Sequence, residues 1–181
     1  MKGSLSKRRV SRGRKKQVTP LSKLRTAEVV RTVVDHPRRL EELFSLLEDK
    51  DVMVRERAAA TLARLSESHS DRLLRVTERL KIGLTDDSAY VRWHIVYALS
   101  QVGSRHPSRA SSIPDVFKGR LADDNRVVRS MALSALADLA AREPEAVAQA
   151  FAADAHAMPP AVARILRRTG RKPKAPALPS S

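Results

Sequence analysis

The side chains best suited to metal or acid–base chemistry are five histidines, His36, His69, His94, His106 and His156. None shares a metal-type spacing with another, and there is no His-Glu-x-x-His pair. His36, His69 and His106 fall at matching places between helical segments and read as solvated turn residues. The chain has no cysteine, which excludes thiolate-held zinc, thiol nucleophiles and disulfides. Its six glycines form neither a phosphate loop nor a Gly-x-Ser-x-Gly elbow. Neighbouring acids such as Glu41–Glu42 and Asp123–Asp124 read as solvated turn and cap residues, not as acid–base pairs. The expectation is a protein without catalytic residues, cofactor or metal.

What remains is non-covalent chemistry of two kinds. The lone tryptophan, Trp93, stands four residues before Tyr97, with Val96 between them. Trp and Tyr are typical anchors of binding surfaces, so these three are the candidate partner contacts. The second kind is charge. The net charge is +15, but residues 1–25 hold ten Lys/Arg and no acid, residues 156–181 hold six and no acid, and residues 26–155 come to −1. The cationic ends therefore carry the polyanion candidates: Lys7, Arg8, Arg9, Arg12, Arg14, Lys15 and Lys16 at one end, Arg167, Arg168, Arg171 and Lys172 at the other. Such clusters suit phosphate backbones, or a nuclear import signal in a eukaryotic host. Residues 1–20 and 170–181 lack hydrophobic periodicity and are expected to be disordered, flexible tails.

The elements that must position Trp93 announce themselves by repetition. DKDVMVRERAAATL (49–62), DDSAYVRWHIVYAL (86–99) and DDNRVVRSMALSAL (123–136) start 37 residues apart. Each carries an apolar stripe at i, i+4, i+8 and i+11, namely Val54, Ala58, Leu62 and Leu65; Val91, Ile95, Leu99 and Val102; Val128, Ala132, Leu136 and Leu139. That is one face of a helix, expected to begin near Val54, Val91 and Val128. An Asp or Asn just before it can cap its free N–H groups and complement its dipole. A second amphipathic set lies between these helices (Leu40, Leu43, Phe44, Leu47 in the first case), so each unit reads helix, Asp-rich turn, helix. Paired helices at this period stack into a solenoid, because one pair cannot bury both its faces alone.

The pattern Leu-x-Asp-x-x-x-x-Val-Arg-x-x-Ala-x-x-x-Leu resembles HEAT repeats. The resemblance implies an all-α, right-handed α-solenoid of three to four repeats at about 37–66, 69–103, 107–140 and a weaker 144–169, after an opening helix at 21–35. The array as a whole then spans 21–169. It also implies a structural ladder between neighbouring repeats, made by Asp49, Asp86 and Asp123 with Arg55, Arg92 and Arg129. In such arrays the second helices line the concave face, which is where Trp93 and Tyr97 fall. The expected function is a non-enzymatic scaffold or adaptor that binds a protein partner there. The rival is a nucleic-acid-binding protein whose tails hold phosphate without reading sequence. A more remote one is a DNA-repair glycosylase of HEAT-like architecture. No apolar run approaches the roughly 18–20 residues of a membrane span, and no apolar segment follows the basic start as a secretory signal requires. Arginine outnumbers lysine 25 to 10 and alanine is frequent, as in a GC-rich genome. The expected location is a bacterial cytoplasm, or the nucleus if the host is eukaryotic.

Overall fold

The computed structural model describes residues 19–109 and 112–169, and every regular element among them is helical. Lys7, Arg8, Arg9, Arg12, Arg14, Lys15, Lys16, Arg171 and Lys172, and with them most of both expected tails, lie outside the described residues.

After a short 3-10 turn at Leu21–Lys23, α1 (Thr26–Asp35) opens the array. The helices then follow as α2 (Leu40–Ser45), α3 (Val52–Leu74), α4 (Thr77–Leu80), α5 (Ala89–Arg105), α6 (Ile113–Arg120), α7 (Arg126–Arg142), α8 (Pro144–Ala150) and α9 (Pro160–Arg168). The three long second helices, α3, α5 and α7, each start two residues before the valine that heads the apolar stripe. The reason is capping: Asp51, Ser88 and Asn125 accept hydrogen bonds from Met53, Tyr90 and Val127 N–H, which sets the helix start at the next residue.

Helices α1, α3, α5, α7 and α9 pack side by side in one continuous row, and the shorter α2, α4, α6 and α8 form the outer layer. The shared core lies between the layers. Its centre is the α5 stripe, where Val91, Ile95, Leu99 and Val102 are fully buried together with Phe117 and Leu136. The weaker last pair is held by Val147, Phe151, Val162 and Leu166, all buried. Burial of two faces per helix, one against each neighbour, is what makes the stack an α-solenoid.

Each second helix hands over to the next unit through one residue of non-helical backbone. His36 (φ −128°, ψ 79°), His69 (−136°, 43°), His106 (−132°, 53°) and Glu143 (−130°, 66°) share this conformation. At His69 this break is a sharp kink inside the α3 span, and Ser70–Leu74 beyond it is a separate helical turn that belongs to the next unit. His106 is less solvated than a turn residue would be. Its Nε2 lies 3.2 Å from Asp71 Oδ1 and 3.0 Å from Ser70 Oγ, which ties this corner to the preceding one.

The repeats also trade volume. At the position that Gly83 holds in the central repeat, repeats one and three have Leu46 and Arg120, and at the position of Ile95 they have Ala58 and Ala132. A Cβ built on Gly83 would stand 2.6 Å from Ile95 Cγ1, in the fully buried centre of the array. Gly83→Ala is therefore expected to destabilise by about 1–3 kcal/mol through overpacking. Because the two side chains compete for one space, the double variant Gly83→Ala/Ile95→Ala should lose less than the sum of the two single losses, and chemical denaturation of the three variants checks it.

Candidate functional site

The turns that set the angle between helices repeat one hydrogen-bond pattern. Asp49, Asp86 and Asp123 each accept the N–H two residues on, at 2.9, 2.8 and 3.0 Å. Arg55, Arg92 and Arg129 each fold back and donate Nη1 to the carbonyl of that same Asp, at 3.0, 2.8 and 2.7 Å. The rest of the guanidinium reaches forward. Arg55 holds the Asp86 carboxylate with Nε and Nη2 at 2.7 and 3.2 Å. Arg92 holds Asp123 the same way at 3.0 and 2.9 Å and also bonds Asp124. Two parallel N–H···O bonds fix orientation as well as distance, so each repeat is locked to its successor at a set angle. The pattern runs out at Arg129: the position three residues before α9, where the earlier helices have their Asp, is Ala157. At the other end, Asp49 follows no repeat that could supply its arginine.

Burial raises the Asp86 carboxyl, but the Arg55 guanidinium and the Ser88 N–H outweigh it, leaving Asp86 below the ordinary carboxylate value. Burial likewise acts upward on Asp123, and the Arg92 fork and the Asn125 N–H bring it below that value. Both carboxylates stay ionised in the folded protein, as clamps of this kind require.

Trp93 and Tyr97 stand on α5 in the middle of the rigid row thus formed. Their rings stack with centroids 5.9 Å apart and planes 21° from parallel. The Tyr97 hydroxyl donates to Glu67 Oε1 of α3 at 3.1 Å. Both rings are half-buried, and Trp93 also leans on the core. They wall a groove of about 440 Å3 between α3 and α5, whose other side is Ala60, Ala63, Arg64 and Glu67. The small Ala60 and Ala63 leave the space that the aromatic rings overhang. Val96 is not part of this surface: it is fully buried, because it turns toward the core between the two rings. It supports the site from beneath, which corrects its expected place among the contact residues.

The sequence reading missed two members of the site. His94 lies edge-on to Trp93 at 4.4 Å, and Tyr90 lies 4.1 Å from His94, so four rings form a continuous strip along α5. The signal was present in the spacing 90, 93, 94, 97, which is itself one helix face. His94 Nδ1 donates to the Tyr90 carbonyl at 2.8 Å, leaving Nε2 as the acceptor. Burial holds its imidazole below the ordinary histidine value, and the bond to the Tyr90 carbonyl and nearby Glu56 oppose this only in part. Among the described residues no group of His, Asp and Glu is placed to hold a metal ion.

Of the polyanion candidates within the described residues, Arg167 and Arg168 are exposed on α9. With Arg164 they form the solvent face opposite buried Val162 and Leu166. They lie two helices away from the aromatic groove along the row, so the structure does not bring the two candidate sites together. No described helix is long and apolar enough to cross a membrane.

The stacked pairs and braced Asp turns define an α-solenoid of HEAT-type repeats, and the HEAT repeat family matches residues 40–69. The family described as non-SMC mitotic condensation complex subunit 1 matches residues 70–163, more than half of the chain, and the chain belongs to that family. Solved structures with the same fold include an engineered protein (TM-score 0.54, 20% identity, 82% of this chain and 68% of that one). A computationally designed armadillo repeat protein for modular peptide recognition is similar too (TM-score 0.53, 19% identity, 81% and 69%). No curated protein matches.

Proposed function

We propose that the protein is a non-enzymatic scaffold that binds a segment of a protein partner in the groove between α3 and α5, on the concave side of the array. The observation that carries this reading is the half-buried, stacked Trp93–Tyr97 pair over a floor of alanines. The two rings offer large rigid area with little rotamer freedom to lose, and the ladder holds both groove walls at fixed spacing. Family membership supports a role within a larger assembly, since the family is described by its place in a condensation complex. The designed armadillo protein with this fold is described as made for modular peptide recognition, which supports the binding of a protein segment here. The expected location is the cytoplasm, or the nucleus in a eukaryotic host.

Trp93→Ala is expected to weaken partner binding by about 2 kcal/mol or more, and calorimetric titration against the partner measures it. The loss should exceed any loss of stability, because only part of the indole touches the core.

A second reading, supported by the exposed α9 arginines and by the composition of the ends, is sequence-independent binding of nucleic acid. Each neutralised phosphate of double-stranded DNA adds about −0.9 to the slope of log affinity against log salt. Titrating labelled DNA and RNA with the full chain and with a chain lacking residues 1–20, at several salt concentrations, tests that reading. It requires a steep slope that flattens markedly in the shortened chain.

A further inference from the structure

The large hydrophobic side chains that remain exposed among the described residues are Val52 (41%), Met53 (65%), Ile82 (45%), Tyr90 (51%) and Val127 (56%). All of them lie on one edge of the array, the edge of the Asp turns. Ile82 is in the 3-10 turn that leads into Asp86, and the others occupy the first turn of a second helix.

Met53, Tyr90 and Val127 are equivalent residues, 37 apart, each the second residue of its helix. The first turn of a helix favours Asp or Glu, which complement its dipole. Yet α3, α5 and α7 have no acid there. Three large apolar groups more than half exposed at the same register contribute little to their own helices. Adjacent packed helices are about 8–10 Å apart, so the three residues form a row that spans about 20 Å. Contiguous exposed apolar surface of this kind marks an interaction site.

We propose that this row is a self-association surface, on which two copies meet turn edge to turn edge about a two-fold axis at Tyr90. The row is its own complement under that operation. Tyr90 meets Tyr90 of the partner subunit, and Met53 meets Val127 of the partner subunit. Charge at the flanks fits as well. Lys50 and Asp124 occupy equivalent turn positions in the outer repeats, so the axis sets Lys50 of each copy against Asp124 of the partner subunit, twice per dimer. Asp124 is 85% exposed at its side chain even while it touches Arg92. A closed two-fold pairing of this kind is the commonest form of oligomer. Asp87, the equivalent residue of the central repeat, meets its own copy and is the one like-charged contact.

The test is sedimentation velocity of the full chain from about 1 μM to 1 mM, at about 0.15 M salt to screen the basic ends. The expected result is a concentration-dependent rise to twice the chain mass. Tyr90→Asp should hold the chain at the monomer mass, as should Lys50→Asp by placing two acids together. The double variant Lys50→Asp/Asp124→Lys should restore the dimer, and Asp87→Asn should shift its midpoint to lower concentration. A wild-type chain that stays monomeric at 1 mM overturns the proposal. So does a dimer that survives Tyr90→Asp, or a double variant no more dimeric than Lys50→Asp alone.

Discussion

Arg92→Ala should cost about 3–5 kcal/mol of stability, the expected penalty for leaving a buried carboxylate without its cation. The side chains of Arg92 and Asp123 are only 8% and 2% exposed, so water cannot take the guanidinium's place. Removing both partners, as in Arg92→Met/Asp123→Leu, should cost clearly less than Arg92→Ala alone, because no orphaned charge remains. Arg129→Ala should be much milder, since Arg129 bonds only the Asp123 and Asp124 carbonyls of its own turn and holds no carboxylate among the described residues. A pH series adds an independent readout. Asp86 and Asp123 titrate below the ordinary carboxylate value when folded. Their contribution is therefore fully present above about pH 4 and is lost as pH falls through the depressed folded values. Melting temperature should drop over that acid range, and the drop should be shallower in the double variant. Equal effects at Arg92 and Arg129 would show that the forward clamp adds nothing.

Leu99→Ala is expected to be comparably severe, at about 2–5 kcal/mol. Leu99 is fully buried on the central helix, which packs against both α3 and α7, so neither neighbour can collapse into the cavity without giving up its own packing. In a stacked array, loss at the middle repeat also uncouples the two ends. Tyr90→Ala, nine residues earlier on the same helix, should change monomer stability by no more than about 0.5 kcal/mol, as usual for an exposed position. Denaturant melts of the two variants at low protein concentration make the comparison.

Much of this architecture was legible in the sequence because it was written three times. Stripes at 37-residue offsets placed Val91, Ile95, Leu99 and Val102 in the core and put an Asp turn ahead of α3, α5 and α7. Which Asp meets which Arg was not legible. Arg55 is six residues from Asp49 and 31 from Asp86, and only the stacking of one repeat on the next decides that its fork closes on the farther one. Capping was legible for α3 and α7, where Asp51 and Asn125 cap as an Asp or Asn just before the helix should, but not for α5, which Ser88 caps. Asp49, Asp86 and Asp123 brace the turn, and Asp86 and Asp123 also receive the clamp, while the residue two places on caps the helix. The aromatic site was half legible: side-chain type pointed to Trp93 and Tyr97, but adjacency in sequence wrongly added buried Val96. The helical spacing that joins Tyr90 and His94 to the strip was overlooked beside the stronger core stripe. The groove itself could not be read from α5 alone, since it exists because Ala60 and Ala63 on α3 are small.

The central claim is that the concave groove, rather than the charge of the ends, recruits a partner. The most direct measurement is capture of proteins from the native host on the full chain and on Trp93→Ala/Tyr97→Ala, each with and without nuclease, followed by mass spectrometry. The expected result is a protein that the wild-type chain retains after nuclease and that the double variant loses, while both chains remain folded at the temperature of the capture. A partner held equally by both chains, or one released from both by nuclease, would contradict it.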